Sequence, residues 1–180
     1  ISEGLTRVSG TLSQSGTSIQ EPIGLLTGGF ASLRNIEKVS SGLIILNQRL
    51  RGISETGDEI EGLAPKLQSA FKEIAGIDIA DANGELRSTY DIVADLAKVS
   101  DTLGSKERQY LFELAAGNRQ VSVLNAVVNS WDSVSLAIDK ATNSTGSAMR
   151  ENEKFLDSIQ GKTNRLASSF QMLASNTIES

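Results

Sequence analysis

The chain has 180 residues, of which 39% are hydrophobic and 22% charged, with only 2 prolines. This length can bury one sizeable core, and the composition excludes collagen, a disordered segment and a low-complexity linker. Cysteine and histidine are both absent, which excludes disulfide scaffolds, thiol nucleophiles, zinc fingers and every catalytic triad built on histidine. The net charge is -5 and the basic residues are scattered, so no electrostatic footprint for nucleic acid or anionic lipid is visible.

Apolar spacing predicts helices along most of the chain. A short first helix covers residues 5–12, and Ser18 offers a cap after it. A second helix begins near Pro22, where the missing N–H donor is tolerated. Gly28 and Gly29 are expected to weaken the middle of this helix, because glycine is a poor helix former.

The clearest amphipathic stripe comes next, with apolar residues at alternating steps of three and four. Asn35 is placed to cap this helix and Gly52 to end it, while Arg49 and Arg51 complement the negative end of its dipole. The stripe is short for a coiled-coil seam, so one face of an intramolecular core is favoured. Its members are Ile36, Val39, Leu43, Leu46, Leu50 and Ile53.

Residues 54–62 are acidic and polar and predict a loop, after which Pro65 opens a helix that stops at Gly76. The period then changes to two, and Asn83-Gly84 supplies a turn. We therefore predict a small β-hairpin or a tight turn near residues 77–87. This turn also resembles part of a calcium-binding loop, but the remaining ligand positions do not fit, so a plain turn is preferred.

The second half of the chain predicts further helices separated by glycines. Ser88 opens one with a capping box and Gly104 closes it, and Ser105 caps the next, which ends at Gly117. A restart near Arg119 leads into one long apolar stripe. Its members are Leu124, Val127, Val128, Trp131, Val134, Ile138 and Ala141.

The long stripe is interrupted at residues 143–146, and a last helix is predicted from about Ser147. Trp131 is interpreted as a core residue rather than as a platform for a ligand. The fold class is therefore mainly α: a compact multi-helix domain of about seven or eight helices, with one small β element or turn.

A search for chemistry finds no motif of an active site. A P-loop, a dinucleotide-binding glycine motif and a nucleophile elbow are all absent from the sequence. A paired-carboxylate glycosidase stays formally open, although aromatic residues, which line sugar-binding grooves, make up only 4%. Glu107, Glu113, Glu151 and Glu153 are interpreted as solvated helix faces or first-turn dipole partners. The sequence thus predicts no catalytic, cofactor-binding or metal-binding residue.

Several phrases in the second half occur in an order that is similar to that of a known family. Residues 77–97 combine a short strand, an Asn-Gly turn and an acidic helix. Residues 108–120 include Ala116-Gly117-Asn118-Arg119-Gln120 at a predicted helix junction, and residues 143–162 follow. Upstream, residues 50–54 and 63–67 also fit. Over about residues 17–175, the chain resembles the conserved core of phage tail tape measure proteins.

The resemblance implies a structural protein of a tailed phage or prophage and not an enzyme. Proteins of this family occupy the tail tube lumen, set tail length during assembly and leave the tube ahead of the DNA at infection. The implied partners are other copies of the chain, the tail tube protein, tail assembly chaperones and tail tip proteins, with no sequence-specific nucleic acid. Membrane contact is implied only at infection, from regions outside this segment. The implied location is the virion, after assembly in the host bacterial cytoplasm.

A molecular ruler needs length in proportion to residue number, and 180 helical residues would span on the order of 270 Å. Glycines and turns break this segment into helices that must pack on one another. We therefore expect residues 1–180 to be a single helical domain and a fragment of a longer tape measure chain. The module either lies near an end of the ruler, or is stretched or packed with copies of itself in the tube.

Two other readings stay open on the sequence alone. The first is a helical adaptor, a protein-interaction module without catalytic activity, which would expose one large hydrophobic patch to a partner helix. The second is a carboxylate enzyme, which would bring at least two acidic groups together in a pocket.

Overall fold

The computed structural model describes residues 2–12, 18 and 20–143. The described part is mainly helical, as predicted, and contains no β-strand beyond two isolated bridges. Its helices are α1 (Ser2–Leu12), α2 (Gln20–Leu33), α3 (Ile36–Leu50), α4 (Leu63–Ala75), α5 (Thr89–Val99), α6 (Ser105–Ala116), α7 (Val121–Asn129) and α8 (Trp131–Asn143).

The chain divides into two units, Ile1–Asp139 and Lys140–Ser180. Only residues 140–143 of the second unit are described, so the helix predicted from Ser147 lies outside the described residues. The expectation of a single domain over residues 1–180 stays a prediction.

The amphipathic helix α3 is the centre of the first unit. It contacts every other helix from α1 to α7. Val39, Leu43, Leu46 and Leu50 are each at most 2% exposed, which confirms the predicted inward stripe. Burying such a side chain stabilises the fold by about 1.5–3 kcal/mol. The cap is confirmed as well, because the backbone N of Lys38 donates to Asn35 Oδ1 at 2.9 Å.

Glycines in the helices mark close approaches between neighbours. A Cβ atom added at Gly29 of α2 would lie 2.6 Å from Val39 Cγ1 of α3. One added at Gly42 of α3 would lie 2.6 Å from Val123 Cγ2 of α7. The sequence indicates only that Gly28 and Gly29 weaken α2, whereas the fold uses its glycines to let side chains of neighbouring helices reach the backbone.

The predicted long stripe after Arg119 is wrong as a single helix. The chain breaks at Ser130, and the axes of α7 and α8 are bent by 70°. At the break, Ser130 Oγ lies 2.8 Å from Ser32 Oγ of α2. The bend allows Val127 to pack near Gly29 while Val134 packs near Gly28. No glycine or proline marks this break in the sequence, which is why periodicity alone missed it.

The predicted boundary between α5 and α6 is also wrong. Helix α5 ends at Val99, and Gly104 does not close it but serves as the N-cap of α6. The backbone N of Gly104 donates to Glu107 Oε2 at 2.9 Å, so the cap is made by the Glu107 side chain and not by Ser105. Glu107 therefore has the first-turn position that the sequence suggested.

Two other helix starts differ slightly from the prediction. Helix α4 begins at Leu63, ahead of Pro65, which still lies in the first turn where its missing N–H is harmless. Helix α7 begins at Val121, after Arg119. The predicted end of α4 is confirmed, because Gly76 is its C-cap with φ 67°.

Residues 77–87 form a tight turn closed by one antiparallel bridge between Ala80 and Leu86. The backbone N of Gly84 donates to Asp81 O at 3.0 Å, and Gly84 has φ 84°. The loop at residues 54–62 is closed in the same way by an unpredicted bridge between Ile53 and Glu59.

Candidate functional site at the helix junctions

A polar cleft of about 360 Å³ lies where α6 meets α7. It contains most of the phrase at residues 116–120, together with Arg49 of α3, Glu55 and Glu113. Two arginines and two glutamates line this junction cleft, so the formal charges of its lining residues cancel. We take this cleft as the candidate site because it contains most of the quoted motif at residues 116–120.

Gly117 ends α6 and allows the chain to turn into α7. Its φ of 70° and ψ of 155° place it in a region of backbone conformation that is essentially restricted to glycine. Its backbone N donates to Glu113 O at 2.8 Å and ends α6, while its carbonyl accepts from the backbone N of Gln120 at 3.0 Å. A glycine is therefore required at this position for α7 to turn back onto α3.

Arg49 ties the junction to the central helix. Its Nη2 donates to Leu114 O at 3.1 Å, near the end of α6, where carbonyls lack partners within the helix. Burial lowers the pKa of Arg49, and Glu55 opposes that shift. The sequence assigned Arg49 to the dipole of its own helix, and only the fold shows that it also serves a carbonyl of another.

Arg108, near the start of α6, connects this helix to the end of α7, away from the junction at residues 116–120. Its Nη2 donates to Asn129 Oδ1 at 2.5 Å, and its guanidinium lies 5.2 Å from the centre of the Phe112 ring. Gln109 Nε2 donates to Glu113 Oε1 at 2.8 Å. The Arg108 hydrogen bond thus joins α6 to α7, whereas the one between Gln109 and Glu113 lies within α6.

A second junction joins the turn at residues 77–87 to α5. Arg87 Nη1 donates to Asp78 O at 2.7 Å, and Arg87 Nη2 pairs with Asp95 Oδ2 at 2.7 Å. Lys98 Nζ pairs with Asp95 Oδ1 at 2.8 Å. The hydrogen bond from Lys98, followed by that from Arg87, holds the pKa of Asp95 below its ordinary value, although burial opposes the shift.

A buried hydrogen bond connects this second junction to α3. Thr89 Oγ1 donates to Asn47 Oδ1 at 2.8 Å, and the two residues are 2% and 3% exposed. Ser88, just before Thr89, caps α5 as predicted, because its Oγ accepts from the backbone N of Asp91 at 3.0 Å. Asn47 is the residue that sequence reasoning missed. Its signal was a polar residue on the buried face of an otherwise apolar stripe.

An aromatic pair lies at the same end of α5, where Tyr90 follows Thr89. The rings of Tyr90 and Trp131 stack at 5.5 Å with 29° between their planes. Trp131 is partly buried and packs against the hydrophobic core from its margin, so its interpretation as a core residue is correct only in part. Nearby, burial raises the pKa of Glu21, and the negative charge of Asp91 raises it further. Burial, followed by the charge of Glu21, also raises the pKa of Tyr90.

The described residues contain no group of three or more acidic side chains that could hold a metal ion. Glu113 lies in the junction cleft, while Glu151 and Glu153 fall outside the part that is described. Taken singly, none of the described helices has the length and apolar character to cross a membrane. Together α7 and α8 reach that length and composition, but they form a bent pair, and α7 is largely buried.

The sequence matches none of the known protein-family models. No solved structure matches the chain either. The quoted motifs and their placement around α3 are therefore the basis for inferring a function.

Proposed function

We propose that this chain is a segment of a phage tail tape measure protein. In this role it occupies the tail tube during assembly, contributes to tail length and leaves the tube at genome ejection. The observation that carries the proposal is the convergence of the quoted motifs on one end of α3. Arg49 donates a hydrogen bond to Leu114 O within residues 108–120, and Asn47 accepts one from Thr89 within residues 77–97.

The residues that carry the resemblance do structural work, which favours a protein that acts by shape. Gly117 sets a turn that other residues adopt only with strain, Arg87 pairs with Asp95 of α5, and Arg108 bridges two helices. The contacts of these residues position helices, and none of them joins reactive groups into a catalytic arrangement. We therefore propose that the segment performs no reaction, and we expect no clearing band from it in a peptidoglycan zymogram.

The same proposal names the partners and the location. The segment would contact other copies of itself, the tail tube protein, assembly chaperones and tail tip proteins. It would reside in the tail lumen of the virion after assembly in the host cytoplasm. Its contacts would be made by the surface of a packed helical module, because α3 is already enclosed by its neighbours.

An in-frame deletion tests the proposal in the phage or prophage that encodes the parent chain. Removing residues 20–139 should shorten tails, measured by electron microscopy, by at most on the order of 180 Å. Tails of unchanged length on fully infectious particles would contradict a ruler contribution. A helical adaptor would instead leave tail length unchanged and remove another component from the particle.

A second variant tests whether tail length depends on the number of residues or on the folded shape of the module. Combining Gly42→Leu with Gly117→Ala keeps the chain length and weakens the packed module. If length is counted in residues, this variant should assemble tails of ordinary length. Shortened tails from the variant would show that the folded shape, and not the number of residues, determines length.

A further inference from the structure

An apolar cleft of about 450 Å³ lies between residues 50–53 at the end of α3, the start of α4 and the turn at residues 77–87. Most of its lining is aliphatic, and Arg51 and Gln68 are the polar residues that line it. We call it the loop cleft. Its apolar lining side chains are Leu50, Ile53, Ala64, Pro65, Ile79 and Leu86.

Four acidic residues lie close in sequence to this apolar lining. Glu59 is bridged to Ile53, and Glu61 follows in the same loop. Asp81 and Glu85 directly adjoin Ala80 and Leu86 in the opposing turn. All four acidic residues are exposed. Since charges act over about 8 Å at physiological ionic strength, these carboxylates give the mouth of the cleft a negative potential.

The neighbouring cations offset this potential only in part, because the four acidic residues outnumber Arg51 and Lys66. Lys66 follows the lining residue Pro65. Its Nζ makes a cation–π contact with Tyr110, 6.0 Å from the centre of the ring. Lys72 is paired with Asp78, with Nζ and Oδ2 2.6 Å apart. Arg51 is the basic residue among those that line the cleft.

The backbone beside the cleft suits an extended partner. In the bridge of Ala80 and Leu86, the hydrogen bonds run between their neighbours, from Asp81 N to Glu85 O at 2.8 Å and from Arg87 N to Ile79 O at 3.0 Å. Residues in such a position direct their own N–H and C=O groups away from each other. The outer edge of Ala80 is therefore available to pair with an added strand.

We propose that the loop cleft binds an extended peptide segment in which aliphatic residues alternate with lysine or arginine. The aliphatic side chains enter the apolar lining, and the basic side chains meet Glu59, Glu61, Asp81 and Glu85. A second copy of this chain is a poorer occupant, because its net charge of -5 would be repelled by the acidic mouth. The proposal stands independently of the proposed function.

Titration of the full chain by amide NMR tests this inference. The probe is an acetylated nonapeptide that alternates lysine with isoleucine or valine. Shift changes should be confined to residues 50–53, 64–68 and 79–86, and affinity should fall as salt is raised. A matched peptide with glutamate for lysine, and another with serine for the aliphatic residues, should not bind. Shift changes elsewhere, or equal binding by either control peptide, would overturn the proposal.

Variants of the chain locate the binding. Gln68→Trp fills the cleft from an exposed position on α4 and should abolish binding, whereas Ser69→Trp beside it should not. Combining Glu59→Lys, Glu61→Lys and Glu85→Lys should weaken binding about tenfold or more. The control with the same change in net charge combines Glu37→Lys, Glu73→Lys and Asp132→Lys, all at exposed positions, and should bind within about threefold of the parent. Unchanged binding by the Gln68→Trp protein, or equal losses in both charge variants, would refute the cleft as the site.

Discussion

At Gly42, helix α3 meets α7 with no side chain of its own between them, whereas at Asn47 the same helix meets α5 through a buried hydrogen bond. The first kind of contact, at Gly28, Gly29 and Gly42, we call the glycine-packed contacts. The second kind, at Asn47 and Arg49, we call the junction contacts. The glycine-packed contacts depend on shape and tolerate no added volume. The junction contacts depend on donors, acceptors and one special backbone conformation.

The largest effect is expected from adding volume at a glycine-packed contact. Gly42→Leu should lower the free energy of unfolding by about 3 kcal/mol, because even a Cβ atom at this position lies within 2.8 Å of three Val123 carbons. Urea unfolding followed by circular dichroism measures the loss. The gain in helix propensity, about 1 kcal/mol, is too small to offset it.

Two controls show whether crowding is the cause. Ser41→Leu, at the adjacent exposed position, should change stability by less than about 0.5 kcal/mol. Combining Gly42→Ala with Val123→Ala should cost less than the sum of the two single variants, because the second substitution makes room for the first. Simple additivity would show that Gly42 and Val123 are not in the contact described.

A smaller loss is expected at the junction contacts from Gly117→Ala. We expect about 2–3 kcal/mol, because φ 70° with ψ 155° is strained for alanine and the added Cβ would lie 3.2 Å from Arg49 Nε. The matched control is Gly76→Ala, at a left-handed helix end with open space around it, which should cost about 1 kcal/mol. Equal losses at Gly76 and Gly117 in urea unfolding would argue against the special role of the junction.

The contrast between the two kinds of contact also explains what the sequence could predict. The α3 stripe, the Asn35 cap and the Gly76 stop follow from local periodicity and capping chemistry, and all are confirmed. The break at Ser130 is set by packing of α7 and α8 against Gly29 and Gly28, so it leaves no local signal.

The junction cleft was only half predictable. The phrase at residues 116–120 marked a helix junction, and Gly117 within it was predicted to end a helix, but its positive φ was not predicted. Its partner Arg49 lies far away in sequence, and a last-turn arginine has an adequate local explanation in the helix dipole. Long-range partners of this kind are fixed by the tertiary fold, which is also why Asn47 was missed.

The smallest expected effect distinguishes Asp95 of α5 from Glu21 of α2 by the sign of their pH dependence. The pKa of Asp95 is lowered by Lys98 and Arg87, so Asp95 contributes stability above its ordinary pKa of 3.8, and this contribution is lost as pH falls through the lowered value. Asp95→Asn should therefore be less stable than the parent at neutral pH and approach it in acid. The urea midpoint at a series of pH values measures this difference.

Glu21 should behave in the opposite sense. Its pKa is raised by burial and by Asp91, so its contribution is fully present below its ordinary pKa of 4.5 and is lost as pH rises through the raised value. Glu21→Gln, which imitates the protonated form, should match the parent in acid and exceed its urea midpoint at neutral pH. A shift of the same sign for Glu21→Gln and Asp95→Asn at neutral pH would mean that the charges of Glu21 and Asp95 affect stability in the same way. Opposite signs would locate the favourable ion pairing at the Arg87 junction and the unfavourable burial at the start of α2.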